Sequence, residues 1–246
     1  MTQTGYARSI RRFAEVAAVA ALLGGGIPWL AVVAANLLVA SGVTPPQGTW
    51  QWVYWQHGIQ CALALIAMAI IRRFVAADFG LRWPPGKSYI GPALLWGLGF
   101  GLAVDALAAI PLILSHAKPS LGYPLTPTNI TGWLTFQGLF VGPTEEIPFR
   151  GLLIGYLATA VPGRMRILRV DLPQAGVIAA VIFMLGHWGY GSAPWWAALF
   201  QQVYALTLGL FYAFWFDRSR SVVAPIVAHN AADFIAVAAY MVWDLA

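Results

Sequence analysis

Phe140-Val141-Gly142-Pro143-Thr144-Glu145-Glu146-Ile147-Pro148-Phe149-Arg150-Gly151-Leu152-Leu153-Ile154 lies in the middle of an apolar run that extends from 132 to 161. At 1.5 Å per residue, such a run is long enough to cross the roughly 30 Å hydrocarbon core of a bilayer. It nevertheless carries two adjacent carboxylates and an arginine. A charged side chain at the centre of a spanning helix costs about 2.5–3.5 kcal/mol on insertion scales. Three such groups in one span point to chemistry, to ion conduction or to a pair that locks the fold.

The rest of the chain has the same character. Of its 246 residues 60% are hydrophobic and only 9% charged, with a mean hydropathy of +0.71. Soluble domains carry about 25% charged residues, so the balance is that of a polytopic membrane protein. The single cysteine, Cys61, lies in an apolar run and has no partner for an internal disulfide. Seven apolar segments separate at 13–40, 52–71, 89–114, 132–161, 174–190, 195–216 and 222–243. Thr44-Pro45-Pro46-Gln47-Gly48 and Trp83-Pro84-Pro85-Gly86-Lys87 mark two of the loops. The first segment is far longer than the 7–15 residues of a signal-peptide core, so it is expected to remain as a helix.

The cations test this partition. Arg8, Arg11, Arg12, Arg72, Arg73, Arg82, Lys87, Arg164, Arg166, Arg169, Arg218 and Arg220 all fall on one side if the N-terminus is inside; Lys118 falls on the other and Arg150 within a span. That asymmetry predicts an all-α, single-domain protein (1–246) of seven transmembrane helices, N-terminus in and C-terminus out. The net charge of +5 is then the footprint of loops facing anionic lipid, and no nucleic-acid partner is implied. The lack of a transit peptide suggests a bacterial inner membrane.

The polar residues left inside the spans are Asp105, Glu145, Glu146, Arg150, His187, His229, Asn230 and Asp233. Glu146 and Arg150 stand four apart on one helix face and can pair. Glu145 is rotated by about 100° from its neighbour and stays available. His229 and Asp233 are also four apart, so the carboxylate can orient the imidazole. Pro148 has no N–H and would leave the Thr144 carbonyl without its usual donor, which is tolerated at membrane depth where backbone lines a cavity. These parts suit the activation of water. Glu145 is the general-base candidate, His187 can share or relay the proton, and His229 with Asp233 can stabilise an oxyanion. Two His and a Glu can also hold zinc with one position open. If a divalent metal is used, Glu145, His187 and His229 are the ligand set, although their spacing matches no compact HExxH motif.

The same residues carry a family resemblance. Glu145-Glu146-Ile147-Pro148-Phe149-Arg150-Gly151 resembles the EExxFRG form of the EExxxR signature of the CPBP family, which comprises CAAX prenyl endopeptidases and bacteriocin-processing or Abi proteins. Phe183-Met184-Leu185-Gly186-His187 resembles its FxxxH motif, His229-Asn230-Ala231-Ala232-Asp233 its HxxxN/D motif, and Gly80-Leu81-Arg82 a short element upstream. Together they cover about 79–235. The resemblance implies an intramembrane endopeptidase acting on membrane-associated, prenylated or leader-bearing proteins or peptides. By analogy Glu145 activates water with help from His187, Glu146 and Arg150 support the site, and His229 with Asp233 stabilises the oxyanion. Members are usually labelled metalloproteases, and glutamate-activated water without a metal has also been proposed for them. Asp233 departs from the Asn of the prenyl-protein enzymes; an amide can donate to an oxyanion and an ionised carboxylate cannot.

Two other classes fit the same acids and histidines. One is a transporter with a proton or cation relay, the other a catalytically silent immunity or scaffold protein of the same fold. Asp105 stands outside every motif and is read as structural or gating. His57 and His116, near segment ends, are read as interfacial, as are Trp50, Trp52, Trp55, Trp195 and Trp196. Gly97, Gly101, Gly138 and Gly142 have the small-xxx-small spacing of close helix packing. Depth raises one conflict. Glu145 and His229 fall near the midplane, but His187 falls about two turns nearer the outer side, unless the fifth helix is shifted or broken.

Overall fold

A computed structural model of the chain describes residues 13–188 and 195–245; Arg8, Arg11 and Arg12 lie outside them. The described residues form seven helices and one hairpin. α1 is Phe13–Ala40, α2 Trp50–Ile71 and α3 Ile90–Leu114. α4 (127–160) runs continuously through Pro127–Thr135, Phe136–Phe140, Val141–Glu146, Ile147–Ile154 and Gly155–Ala160. β1 (Arg164–Ile167) and β2 (Val170–Pro173) follow, then α5 (Gln174–Gly186), α6 (Trp195–Ser219) and α7 (Val223–Leu245). Among the described residues α1, α2, α3, α6 and α7 are long and apolar enough to cross a membrane. Their outward faces carry Leu22, Trp29, Leu37, Ile66, Leu95 and Leu107, all exposed. A soluble monomer rarely exposes so much contiguous apolar surface; this is an integral membrane protein.

Among the described residues the protein is mostly helical, as expected, with one short hairpin that the sequence did not suggest. β1 and β2 pair antiparallel, with Arg164 opposite Pro173 and Ile167 opposite Val170. The segment is too short and too basic for a strand period to stand out, but Arg164 binds it down: its Nε meets Asp171 Oδ2 at 2.5 Å and its Nη2 meets Asp217 Oδ2 of α6 at 2.9 Å.

α4 is the central helix, touching α1, α2, α5, α6 and α7. Phe149, Leu152, Leu153, Ile154 and Leu157 from it fill the core. Its hydrogen-bond register slips twice into π-helical form, at Phe136–Phe140 and Ile147–Ile154. The second slip contains Pro148, whose missing N–H breaks the i→i−4 ladder. The carbonyl of Thr144 thereby released accepts instead from Gln60 Nε2 of α2 at 3.1 Å.

The Gly80-Leu81-Arg82 element docks the α2–α3 loop on the α6–α7 turn. Gly80 takes φ +61°, a conformation that favours glycine. Its carbonyl accepts from Val222 N at 3.1 Å, and Ser221 Oγ donates to the Arg82 carbonyl. Arg82 grips Asp78 through both carboxylate oxygens, at 2.9 and 2.8 Å. Partial burial pushes the Asp78 pKa upward, but these bonds and the Gly80 N–H outweigh it and hold it below its ordinary value.

The small residues do what their spacing predicts. A Cβ at Gly101 would lie 2.5 Å from the Ala232 carbonyl oxygen and 2.7 Å from Ile235 Cγ2 on α7. Gly101→Leu is therefore expected to force α3 from α7 at a cost of about 1–3 kcal/mol, read as a lowered melting temperature in detergent. Of the tryptophans expected at the interface, the two that open α2 pack against neighbouring helices. Trp52 is buried, with Nε1 donating to Asn36 Oδ1 at 3.0 Å, and Trp50 covers Gly132. Trp55, Trp195 and Trp196 are exposed.

Candidate active site

Adjacent carboxylates on α4 diverge because 100° of helix separates them. Glu146 turns into the protein and is fully buried. It meets Arg150 Nη1, one turn on, at 3.1 Å. The same oxygen, Oε1, meets His229 Nδ1 of α7 at 2.7 Å. Arg150, 1% exposed, donates from Nη2 to the Gly209 carbonyl at 3.3 Å. Its guanidinium lies 4.6 Å from the centroid of the Phe183 ring and 5.1 Å from that of Tyr212, the cation–π arrangement that a desolvated arginine favours. Tyr212 also stacks on His229, with centroids 4.6 Å apart and planes 15° apart.

Glu145 turns the other way, into a cavity of about 330 Å³ that it lines with His187, His229, Asp233, Gln137 and His57. A second space of about 670 Å³, between α1, α2 and the end of α5, also reaches Glu145, His57 and His187. The four residues expected to act on water therefore border one cavity. His229 Nε2 faces Asp233 Oδ2 at 3.4 Å and Glu145 Oε2 at 3.9 Å. The Asp–His pairing within α7 is present, but the shorter contact of His229 is to Glu146, 83 residues away.

His187 lines the cavity from the C-terminal end of α5. The helix ends at Gly186 after 13 residues, about 20 Å, and His187 is its C-cap residue. Against the depth expected from its place in the segment, His187 meets Glu145 and His229 at one cavity. His187 Nδ1 lies 2.8 Å from the Phe183 carbonyl. A carbonyl only accepts, so Nδ1 carries the proton and Nε2 is the acceptor nitrogen of the neutral ring.

Sequence reasoning misassigned His57. It is not interfacial: its Nε2 lies 3.0 Å from Glu145 Oε1 and its Nδ1 3.0 Å from the Val53 carbonyl. The available signal was the polar set Gln56, His57 and Gln60 inside an otherwise apolar helix. Gln137 was also missed; its Oε1 is buried without a hydrogen-bond partner among the described residues. Asn230 is structural, its Oδ1 accepting from Gly142 N at 2.7 Å and tying α7 to α4. Asp105 lies within electrostatic reach of Asp233 but does not line the cavity.

The donor set does not gather as a metal centre. Among the described residues no three His, Cys, Asp or Glu are grouped to hold an ion. Glu145 Oε1 is engaged by His57, and His229 Nδ1 by Glu146. Those contacts occupy only one donor atom each of Glu145 and His229; it is the spread of Glu145, His187 and His229, not grouped closely enough here to hold an ion, that does not fit a catalytic metal in this arrangement.

The family described as type II CAAX prenyl endopeptidase Rce1-like matches residues 127–235. Over that segment, less than half of the chain, it is similar to that family, which supports the CPBP resemblance of its motifs. The matched segment opens at Pro127, the first residue of α4, and closes at Ile235 in α7. It thus holds Glu145, Glu146, Arg150, His187, His229 and Asp233, while His57 and the Gly80-Leu81-Arg82 element lie before it. No curated protein and no solved structure matches the chain.

Proposed function

We propose that this protein is an intramembrane endopeptidase that hydrolyses peptide bonds in membrane-associated proteins or peptides with glutamate-activated water. The observation that carries the reading is the carboxylate of Glu145 bordering one cavity with His187, His229 and Asp233, within a segment matching a family of endopeptidases. Glu145 accepts a proton from water through Oε2, the oxygen not held by His57, and His187 shares that proton through Nε2. The water oxygen bonds to the scissile carbonyl carbon. His229, its Nδ1–H held by Glu146, shares its Nε2–H between Asp233 Oδ2, 3.4 Å away, and the oxyanion as that charge forms, and Asp233 orients the ring. This role for Asp233 removes the difficulty that a carboxylate cannot donate. The proton taken up by Glu145 passes to the leaving amine as the C–N bond breaks. Glu146 and Arg150 hold the frame.

The finer reading is a single domain of seven spans, N-terminus in, seated in a bacterial inner membrane. Its substrates carry a membrane-embedded segment, with prenylated CAAX tails foremost. The test is cleavage by the purified protein in lipid of a panel of fluorogenic membrane peptides that includes a farnesylated CAAX tail. Cleavage is expected to survive a strong chelator unchanged. Loss on chelation, restored by zinc, would overturn the metal-free route. Ion flux without cleavage would replace the peptidase by a relay transporter.

A further inference from the structure

α2 lies wholly before the segment that matches the family, yet it grips the Glu145 turn at two consecutive residues. Gln60 Nε2 donates to the Thr144 carbonyl at 3.1 Å, and His57 Nε2 meets Glu145 Oε1 at 3.0 Å. Gln56 Nε2 backs Gln60 by donating to its Oε1 at 3.3 Å. The His57 ring is held at its other edge by the Val53 carbonyl, and its face meets Phe136 edge-on with centroids 4.9 Å apart. Its orientation is therefore set by two neighbours independently of Glu145.

Counting protons makes this contact directional. The Val53 carbonyl can only accept, so His57 Nδ1 bears a proton. A carboxylate also only accepts, so a second proton lies between His57 Nε2 and Glu145 Oε1. A charge-assisted bond of this kind fixes a carboxylate more firmly than a neutral one. It occupies Oε1 and leaves Oε2, the oxygen nearer His229, to meet water.

We propose that His57 is a positioning residue for the peptidase: it anchors one oxygen of Glu145 so that the other is held as the base. The inference rests on the peptidase reading above. It follows that α2, and not only the matched segment, is needed for a competent site. A base displaced by about 1 Å loses on the order of 10²-fold in rate.

The experiment compares wild type, His57→Leu, His57→Gln and Glu145→Gln in lipid, with melting temperatures measured alongside. Glutamine places its Nε2 near the position of the imidazole Nε2 and can donate to Glu145; leucine fills space and cannot. The expected result is kcat lowered on the order of 10²-fold in His57→Leu with KM unchanged, and most of that loss recovered in His57→Gln. Wild-type kcat in His57→Leu overturns the proposal. So do equal losses in both variants accompanied by a fall in melting temperature, the signature of packing alone. The peptidase reading fails separately, when Glu145→Gln cleaves as wild type. If no substrate in the panel is cut, histidine ¹⁵N spectra decide the contact: Glu145→Gln is expected to shift the His57 ring signals, and unchanged signals overturn it.

Discussion

Glu145→Gln is expected to lower kcat by about 10²–10⁴-fold, the usual worth of a positioned general base, while KM stays near its wild-type value. Glutamine is nearly isosteric and keeps an oxygen on the cavity wall, but an amide cannot take up the proton of water. The residue faces a cavity rather than the core, so the melting temperature should change little. The measurement is single-turnover cleavage in lipid beside a thermal melt. A selective loss of rate ties the chemistry to this carboxylate and removes the silent-scaffold reading. Cleavage at the wild-type rate would sink the mechanism, and His187 or Asp233 would have to supply the base. Loss of ion flux in the same variant, with no cleavage at any time, would instead favour a relay.

The fold was legible where a signal is local. Seven apolar runs became seven helices, and five of them are long and apolar enough to cross a membrane. The boundaries were less so. α4 begins at Pro127 and not at 132, after Thr126, whose hydroxyl accepts from Asn129 N at 3.3 Å. That cap and the proline behind it are ordinary start signals, obscured by the polar Thr128 and Asn129. The hairpin at 164–173 was hidden by its arginines.

The site divides in the same way. Glu146 with Arg150 and His229 with Asp233 are pairs four residues apart, and helix geometry brings both together without knowledge of the fold. The contacts on which the proposed chemistry rests join helices: His229 to Glu146 over 83 residues, Gln60 to Thr144 over 84 and His57 to Glu145 over 88. They depend on how each helix is rotated about its axis. A helix apolar on nearly every face, as α2 is, leaves that rotation open until its neighbours are in place. The place of Asp233 could be seen only then, with His229 between it and Glu146.

Arg150→Ala is expected to cause the largest loss of stability, about 3–5 kcal/mol, the usual cost of removing one partner from a buried ion pair. For a chain of this size that corresponds to a fall in melting temperature of about 6–20 °C. Glu146 and Arg150 are 0% and 1% exposed, so water cannot replace the lost cation. The Gly209 carbonyl loses its donor, and the faces of Phe183 and Tyr212 lose the group packed against them. Arg150→Lys should recover only part of the loss, since an ammonium keeps the charge but not the planar fork. The paired change Glu146→Gln with Arg150→Met removes both charges and should cost less than Arg150→Ala alone, because no uncompensated charge is left buried. If the pair costs as much as the single change, ring packing rather than charge holds Arg150 in place. Activity should fall in every variant that melts early, because Glu146 also holds His229. Glu145→Gln should lose activity with its melting temperature intact, and this contrast separates the carboxylate that supports the site from the one that acts in it.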